Sequence, residues 1–235
     1  MNTGIGVGFL NMNVDTLRDF IKGLGVSDIG FSKVTGFVPE NWSKYNYAIS
    51  FVIQLSNGII NDIKENNEPT QTYFAHYRSV NYHINEVTLR TTIALQNSGY
   101  NAIAIPSSQS LHDKPYNSVF SHKKAATLSG LGWIGKSGLF IHHKFGPRVR
   151  LGTILTDMEL PLTTPITTSK CGDCNLCVIK CPAMAIEGTK WVQGMERNKI
   201  YDAHACSSYM KKNFQHIGRG SVCGVCISTC PIGNV

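Results

Sequence analysis

Cys171-Gly-Asp-Cys174-Asn-Leu-Cys177-Val-Ile-Lys-Cys181-Pro182 is answered downstream by Cys206 and by Cys223-Gly-Val-Cys226-Ile-Ser-Thr-Cys230-Pro231, and together these runs hold all eight cysteines of the 235-residue chain. Short C-x2-C steps argue for metal rather than a disulfide framework. All-cysteine zinc sites would also use four ligands each. However, C-x2-C-x2-C crowds three thiolates into seven residues, which suits the face of an iron–sulfur cubane better than a two-plus-two zinc knuckle. The Cys-Pro ending of both runs agrees. The spacing therefore implies two [4Fe–4S] clusters with crossed ligands, because the Cys-Pro cysteine leads away from its own cubane and ligates the other. Cys171, Cys174, Cys177 and Cys230 are expected to hold one cluster, and Cys181, Cys206, Cys223 and Cys226 the second. Neither site closes without the other run, so the tail is one folding unit.

Working outward, residues 1–165 carry no cysteine and read as a separate α/β domain, with 166–235 as a ferredoxin-like one; Pro161, Pro165 and the Thr-rich segment between them mark the linker. Apolar positions at helical spacing predict a helix from Val14 to Leu24, closed by Gly25, and a long one from about Tyr73 to Asn97 along Tyr73, Tyr77, Val80, Ile84, Val87, Thr91 and Ala94. Strands are expected at Asp28–Val34, Ala48–Leu55, in the buried run ending at Pro106, at Leu139–His142 and at Val149–Thr156. His142 and His143 alternate across a strand in this reading and do not chelate together. His122 reads as a helix-start residue, and Tyr73 and Tyr77 as core.

The formal charge is +7. Two clusters with their thiolates, at about −2 each, lower it to about +3, and the basic residues are scattered, so a nucleic-acid partner is possible but not favoured. No apolar run reaches the roughly 20 residues a membrane helix needs, and the first residues show no secretory pattern, so the expected location is cytoplasmic.

Gly130–Ser137, GLGWIGKS, satisfies both G-x-x-x-x-G-K-[ST] and G-x-G-x-x-G. Both motifs need a strand before the loop and a helix after it. Here a helical stretch precedes and a strand-like run follows, and Trp133 and Ile134 are bulky where phosphate must approach. A cluster-bearing nucleotidase is thus the weaker reading, and a glycine loop closely approached by a large flat cofactor is the stronger.

The segments SGLGWIGKSGLFI, FGPRVRLGTILTDMELP and CGDCNLCVIKCPAMAI, with Cys206-Ser-Ser-Tyr and Cys223–Pro231, resemble the epoxyqueuosine reductases and the related cobalamin-dependent reductive dehalogenases. The resemblance implies a base-off cobalamin in a nitroreductase-like domain beside the ferredoxin-like module, fed one electron at a time by an external low-potential donor of ferredoxin or flavodoxin type. It implies that Gly130, Gly132, Gly135 and Lys136 line the corrinoid with Trp133 nearby, and that Arg148 and Arg150 hold its amide or phosphate oxygens. The family's Asp proton donor lies 14 residues before the glycine loop; that count lands on Tyr116, and the nearest carboxylate is Asp113. The helical repeats of the tRNA-modifying members do not follow Cys230. The implied activity is reduction of a small organic or modified-base substrate. The alternative is an electron-transfer or reactivating protein that reduces a corrinoid or flavin on a partner.

Overall fold

The computed structural model describes residues 12–109, 111–113, 116–218 and 222–233. The N-terminal stretch read for a leader lies almost wholly outside them. Four antiparallel strands, β1 (Asp28–Lys33), β2 (Tyr47–Gln54), β3 (Ala102–Ile105) and β6 (Val149–Thr156), form a sheet in the order β1-β2-β6-β3. β2 is buried along its length because helices cover both faces of the sheet. Ile49, Phe51 and Ile53 point into one core, with Leu17 and Ile21 of α1 (Val14–Gly23) and Val80, Ile84 and Val87 of α3 (Gln71–Asn97). Ala48 faces the other side, against Ala125 and Leu128 of α4 (His122–Leu128).

Local chemistry explains the element ends. Asn13 and Thr16 close a reciprocal capping box on α1, and Gly25, at φ 85°, accepts the left-handed exit that the sequence assigned to it. Every position of the α3 stripe is buried except Tyr77, which is half-buried. One expectation needs correction. β3 is an edge strand in which only Ile105 is fully buried, since it pairs with β6 alone. α2 (Asn57–Asn66) is a helix held by Ile60 and Ile63 in the main core.

The glycine-rich run folds as a hairpin, β4 (Gly132–Ile134) against β5 (Phe140–His142), directly after α4. No helix follows the lysine, so the phosphate-loop context is absent. Beyond residue 165 come α5 (Leu176–Lys180), α6 (Ala203–Phe214) and α7 (Val225–Ser228). This tail shares its cores with the rest of the chain. Val222 and Val225 join the α1/α3 core, while Trp191 and Ile200 pack with Trp133, Phe140 and Ile141 of the hairpin. No described helix is long and apolar enough to cross a membrane.

Candidate functional site: the cysteine loops and the cavities beside them

The eight thiols sort into two neighbourhoods. Burial pushes the Cys230 thiol up to about 11, and the neighbouring sulfurs that add to the shift are Cys171, Cys177 and Cys174. Burial likewise raises Cys206 to about 11, with Cys223 and Cys181 as its sulfur neighbours. Cys226 lies well above the ordinary thiol range because of burial, and then because of Cys223, Cys206 and Cys181. Cys171, Cys174, Cys177 and Cys230 line one recess together with Cys226, which Cys177 also influences. Thiols held neutral in this way are ready to release protons to a metal that supplies the compensating charge.

The hairpin braces the first recess. Lys136 is 4% exposed, and its amine donates to the Cys174 carbonyl at 2.9 Å and to Asn175 Oδ1 at 2.8 Å. A Cβ on Gly135 would stand 2.8 Å from the Ile141 side chain and 3.5 Å from Cys171 Sγ, and one on Gly132 would collide with the Ile141 carbonyl. Gly130, at φ 69°, passes under the Thr164 carbonyl. These glycines let the hairpin close and seat it against the first cysteine loop, and none of them lines either of the larger cavities. Trp133 packs in the core shared with Cys171 and Cys230.

Two adjoining cavities, of about 490 and 290 Å³, lie between α4, the hairpin and the tail. Lys123, Ser118 and Ser121 line both. The larger has Tyr116, Lys123, Lys124, Arg197 and Tyr201 among its polar walls, has Trp191, Ile134 and Ile200 among its apolar ones, and includes no carboxylate among the described residues. Tyr201 connects it to the second thiol group, since Cys206 and Cys226 are among the charges acting on its phenol, which burial raises. Ile227, next to Cys226, lines the smaller cavity. The cavities therefore adjoin the Cys181/Cys206/Cys223/Cys226 group.

Of the expected proton donors, Tyr116 reaches the larger cavity, with φ 65° and its carbonyl accepting from Arg197. Asp113 is exposed and lines neither cavity. Arg150 lines the smaller cavity, where it stacks 4.1 Å from the Tyr77 ring centroid and donates to Asn81. Arg148 is fully buried and donates to Asn57 and Asn61 of α2, outside both cavities. His122 spends Nδ1 on Thr153 and Nε2 on the Pro106 carbonyl, and burial lowers its pKa. Lys123 escaped the sequence reading. Its amine donates to the Gly138 carbonyl at 2.7 Å, and burial, with Arg197 nearby, lowers it to about 8. In sequence it is one of the run His122-Lys123-Lys124, a pattern that usually marks a solvated surface.

His142 and His143 also depart from expectation. β5 ends at His142, the chain turns, and the two rings stack 4.2 Å apart, with Asp28 Oδ2 at 3.2 Å from His142 Nε2 and 3.8 Å from His143 Nε2. His142 Nδ1 accepts from the Lys144 and Phe145 amides, so its Nε2 carries the proton given to Asp28. In that tautomer Nε2 has no lone pair for a metal and the Nδ1 lone pair is engaged by the two amides, and the trio pins the hairpin to β1.

Residues 170–233 match the family model of the 4Fe-4S double cluster binding domain. The chain is 36% identical over 85 residues to an epoxyqueuosine reductase of Aliivibrio fischeri, covering 36% of this chain and 20% of that protein. It is 33% identical over 132 residues to a tetrachloroethene reductive dehalogenase of Sulfurospirillum multivorans, covering 51% of this chain and 25% of that one. The chain thus spans about a quarter of the length of these curated relatives. A reductive dehalogenase structure described as suggesting a mechanism for B12-dependent dehalogenation superposes with a TM-score of 0.74 at 17% identity, over 98% of this chain and 33% of that one. An epoxyqueuosine reductase crystal structure gives 0.60 at 14%, over 93% and 65%. The chain is a relative of both groups of reductases, has their mixed α/β fold and carries a 4Fe–4S binding domain.

Proposed function

We propose that this chain is an iron–sulfur oxidoreductase that brings single electrons from an external low-potential carrier, through two [4Fe–4S] clusters, to a corrinoid seated in the paired cavities, for reduction of a small organic or modified-base substrate. The observation that carries the reading is the sorting of eight thiols into two groups of four, one solvent-facing at Cys174 and the other backing onto a cation-walled cavity through Tyr201. Electron entry at the exposed group and use at the enclosed one follows from that order.

The cavity walls suit a corrinoid. Lys123, Lys124, Arg197 and Tyr201 offer donors to amide carbonyl and phosphate oxygens, and Trp191, Ile134 and Ile200 offer apolar surface to a flat ring. His122 lines the smaller cavity, but Thr153 and the Pro106 carbonyl engage both its ring nitrogens, so it would offer a corrinoid ring surface rather than a free nitrogen. A corrinoid there would supply reduction at cobalt. The chain's own part is to position, exclude water and deliver protons. Tyr116 at the rim and Lys123 at the junction are the groups placed to donate, and an amine near pKa 8 holds its proton at neutral pH and gives it up more readily than an ordinary lysine.

Retention of cobalamin by the anaerobically reconstituted protein through gel filtration, read from the corrin absorption band, tests the reading. If the clusters form but no corrinoid stays bound, and the reduced protein instead reduces cobalamin on a partner, the electron-transfer alternative replaces it.

A further inference from the structure

Three described residues other than glycine take a left-handed backbone: Asn67, Tyr116 and Met184. Asn67 is a helix C-cap of a type that tolerates this region, and Tyr116 lines the larger cavity. Met184 has neither excuse. The turn after Cys181 requires φ 49° there: the Met184 amide bonds the Cys181 carbonyl at 3.1 Å, and the next amide, of Ala185, points at Cys181 Sγ at 3.4 Å. Glycine or asparagine would make the same turn at lower cost. The methionine side chain is moreover 90% exposed, so it gains no packing within the chain.

It does not stand alone. On α5, just before this turn, Ile179 is 76% and Leu176 44% exposed, and Cys174 before them is the exposed thiol of the first group. A helix and turn that present three large apolar side chains to water beside a metal loop mark a contact surface. The charges around it are mainly basic. Lys170 and Lys180 are exposed and form no ion pair among the described residues, and Lys190 is spent on Asp173 at 3.2 Å. Glu187 is the remaining carboxylate of this stretch.

Resting on the function proposed above, we infer that Leu176, Ile179 and Met184, rimmed by Lys170 and Lys180, form the docking surface for a small acidic electron-carrier protein. The apolar side chains dehydrate the contact over the exposed cysteine loop, and the lysines steer an acidic partner onto it. The left-handed methionine is then stability given up for recognition.

The test uses the reconstituted holo-protein titrated with oxidised flavodoxin as the acidic probe, at low and raised ionic strength. Wild type is expected to bind, with affinity falling as salt rises. Met184→Asn is expected to melt at the same temperature or higher while weakening binding about tenfold, a loss that a purely structural role does not produce. Ile179→Gln should weaken binding similarly, and Lys180→Glu should weaken it and flatten the salt dependence. No flavodoxin binding, or equal affinities across the variants, overturns the inference. So does a dimer in sedimentation that Met184→Asn dissolves, because the surface then belongs to a second copy of this chain. Bleaching of the visible absorbance by reduced viologen, which needs no docking, tests the cluster reading separately.

Discussion

The amine of Lys136 lies 2.9 Å from the carbonyl oxygen of Cys174, 38 residues further along the chain. The lysine of an apparent phosphate-loop motif thus serves as a strut between the glycine hairpin and the first cysteine loop. Lys136→Met keeps the aliphatic stem and removes two charge-assisted bonds, worth about 2 kcal/mol or more together. Iron in the variant should pass to a strong chelator about ten times faster than in wild type. ATP should shift the melting temperature of neither protein, and a shift in wild type would revive the nucleotide reading.

The proposed crossed ligation makes the two Cys-Pro cysteines distinguishable. Cys230→Ser should damage the site of Cys171, Cys174 and Cys177 although it lies in the second run, and Cys181→Ser the site of Cys206, Cys223 and Cys226 although it lies in the first. Each variant is expected to retain about four irons. Iron-site spectroscopy on double variants reads the pairing: adding Cys171→Ser to Cys230→Ser should cost little further iron, while adding it to Cys181→Ser should empty both sites.

How much of this was legible beforehand varied with the physics that decided each element. The α3 stripe and the β2 apolar run encode their burial directly, and both elements lie within a residue or two of their expected bounds. The cysteine spacing encodes its own chemistry. The glycine loop is harder to read, because Gly130, Gly132 and Gly135 record close approach without saying what approaches; a Cβ at these positions would meet the β5 strand, the Thr163–Thr164 segment and the Cys171 loop. Lys123 was invisible for a related reason. Sequence shows a basic triplet, but only tertiary packing decides that Lys124 stays exposed while Lys123 turns inward beside Tyr201. His142 and His143 were assigned to opposite faces because strand alternation was carried one residue past the strand's end.

Gly132→Ala tests the hairpin's role without touching a proposed ligand. A methyl there meets the Ile141 carbonyl and stands 2.8 Å from Phe140 Cζ, so pairing of β4 with β5 must shift. A loss of about 2 kcal/mol or more is expected from overpacking. Gly23→Ala, in helix α1 with nothing within 4 Å, is the control and should be neutral or stabilising. Chemical denaturation of the two variants makes the comparison.

Lys123 should leave a signature in pH dependence. Its folded pKa of about 8 lies below its ordinary value of 10.5, so the unfolded chain binds more protons between those values and stability rises with pH across that window. Below about pH 8 both states are charged and the burial cost is fully present. The melting temperature of the holo-protein should therefore climb by a few degrees between about pH 8 and 9.5, and Lys123→Met should flatten the climb. An identical slope in the variant means that another group titrates there. If Lys123 also donates to substrate, turnover should fall through the same window in wild type alone.

Every role proposed for this chain depends on its metal centres. Anaerobic reconstitution with iron and sulfide, followed by gel filtration, metal analysis and electron paramagnetic resonance of the reduced protein, measures them directly. The expected result is about eight irons per chain and the spectrum of two magnetically coupled reduced cubanes. Zinc in place of iron, or about four irons with the signal of one isolated cluster, would contradict it.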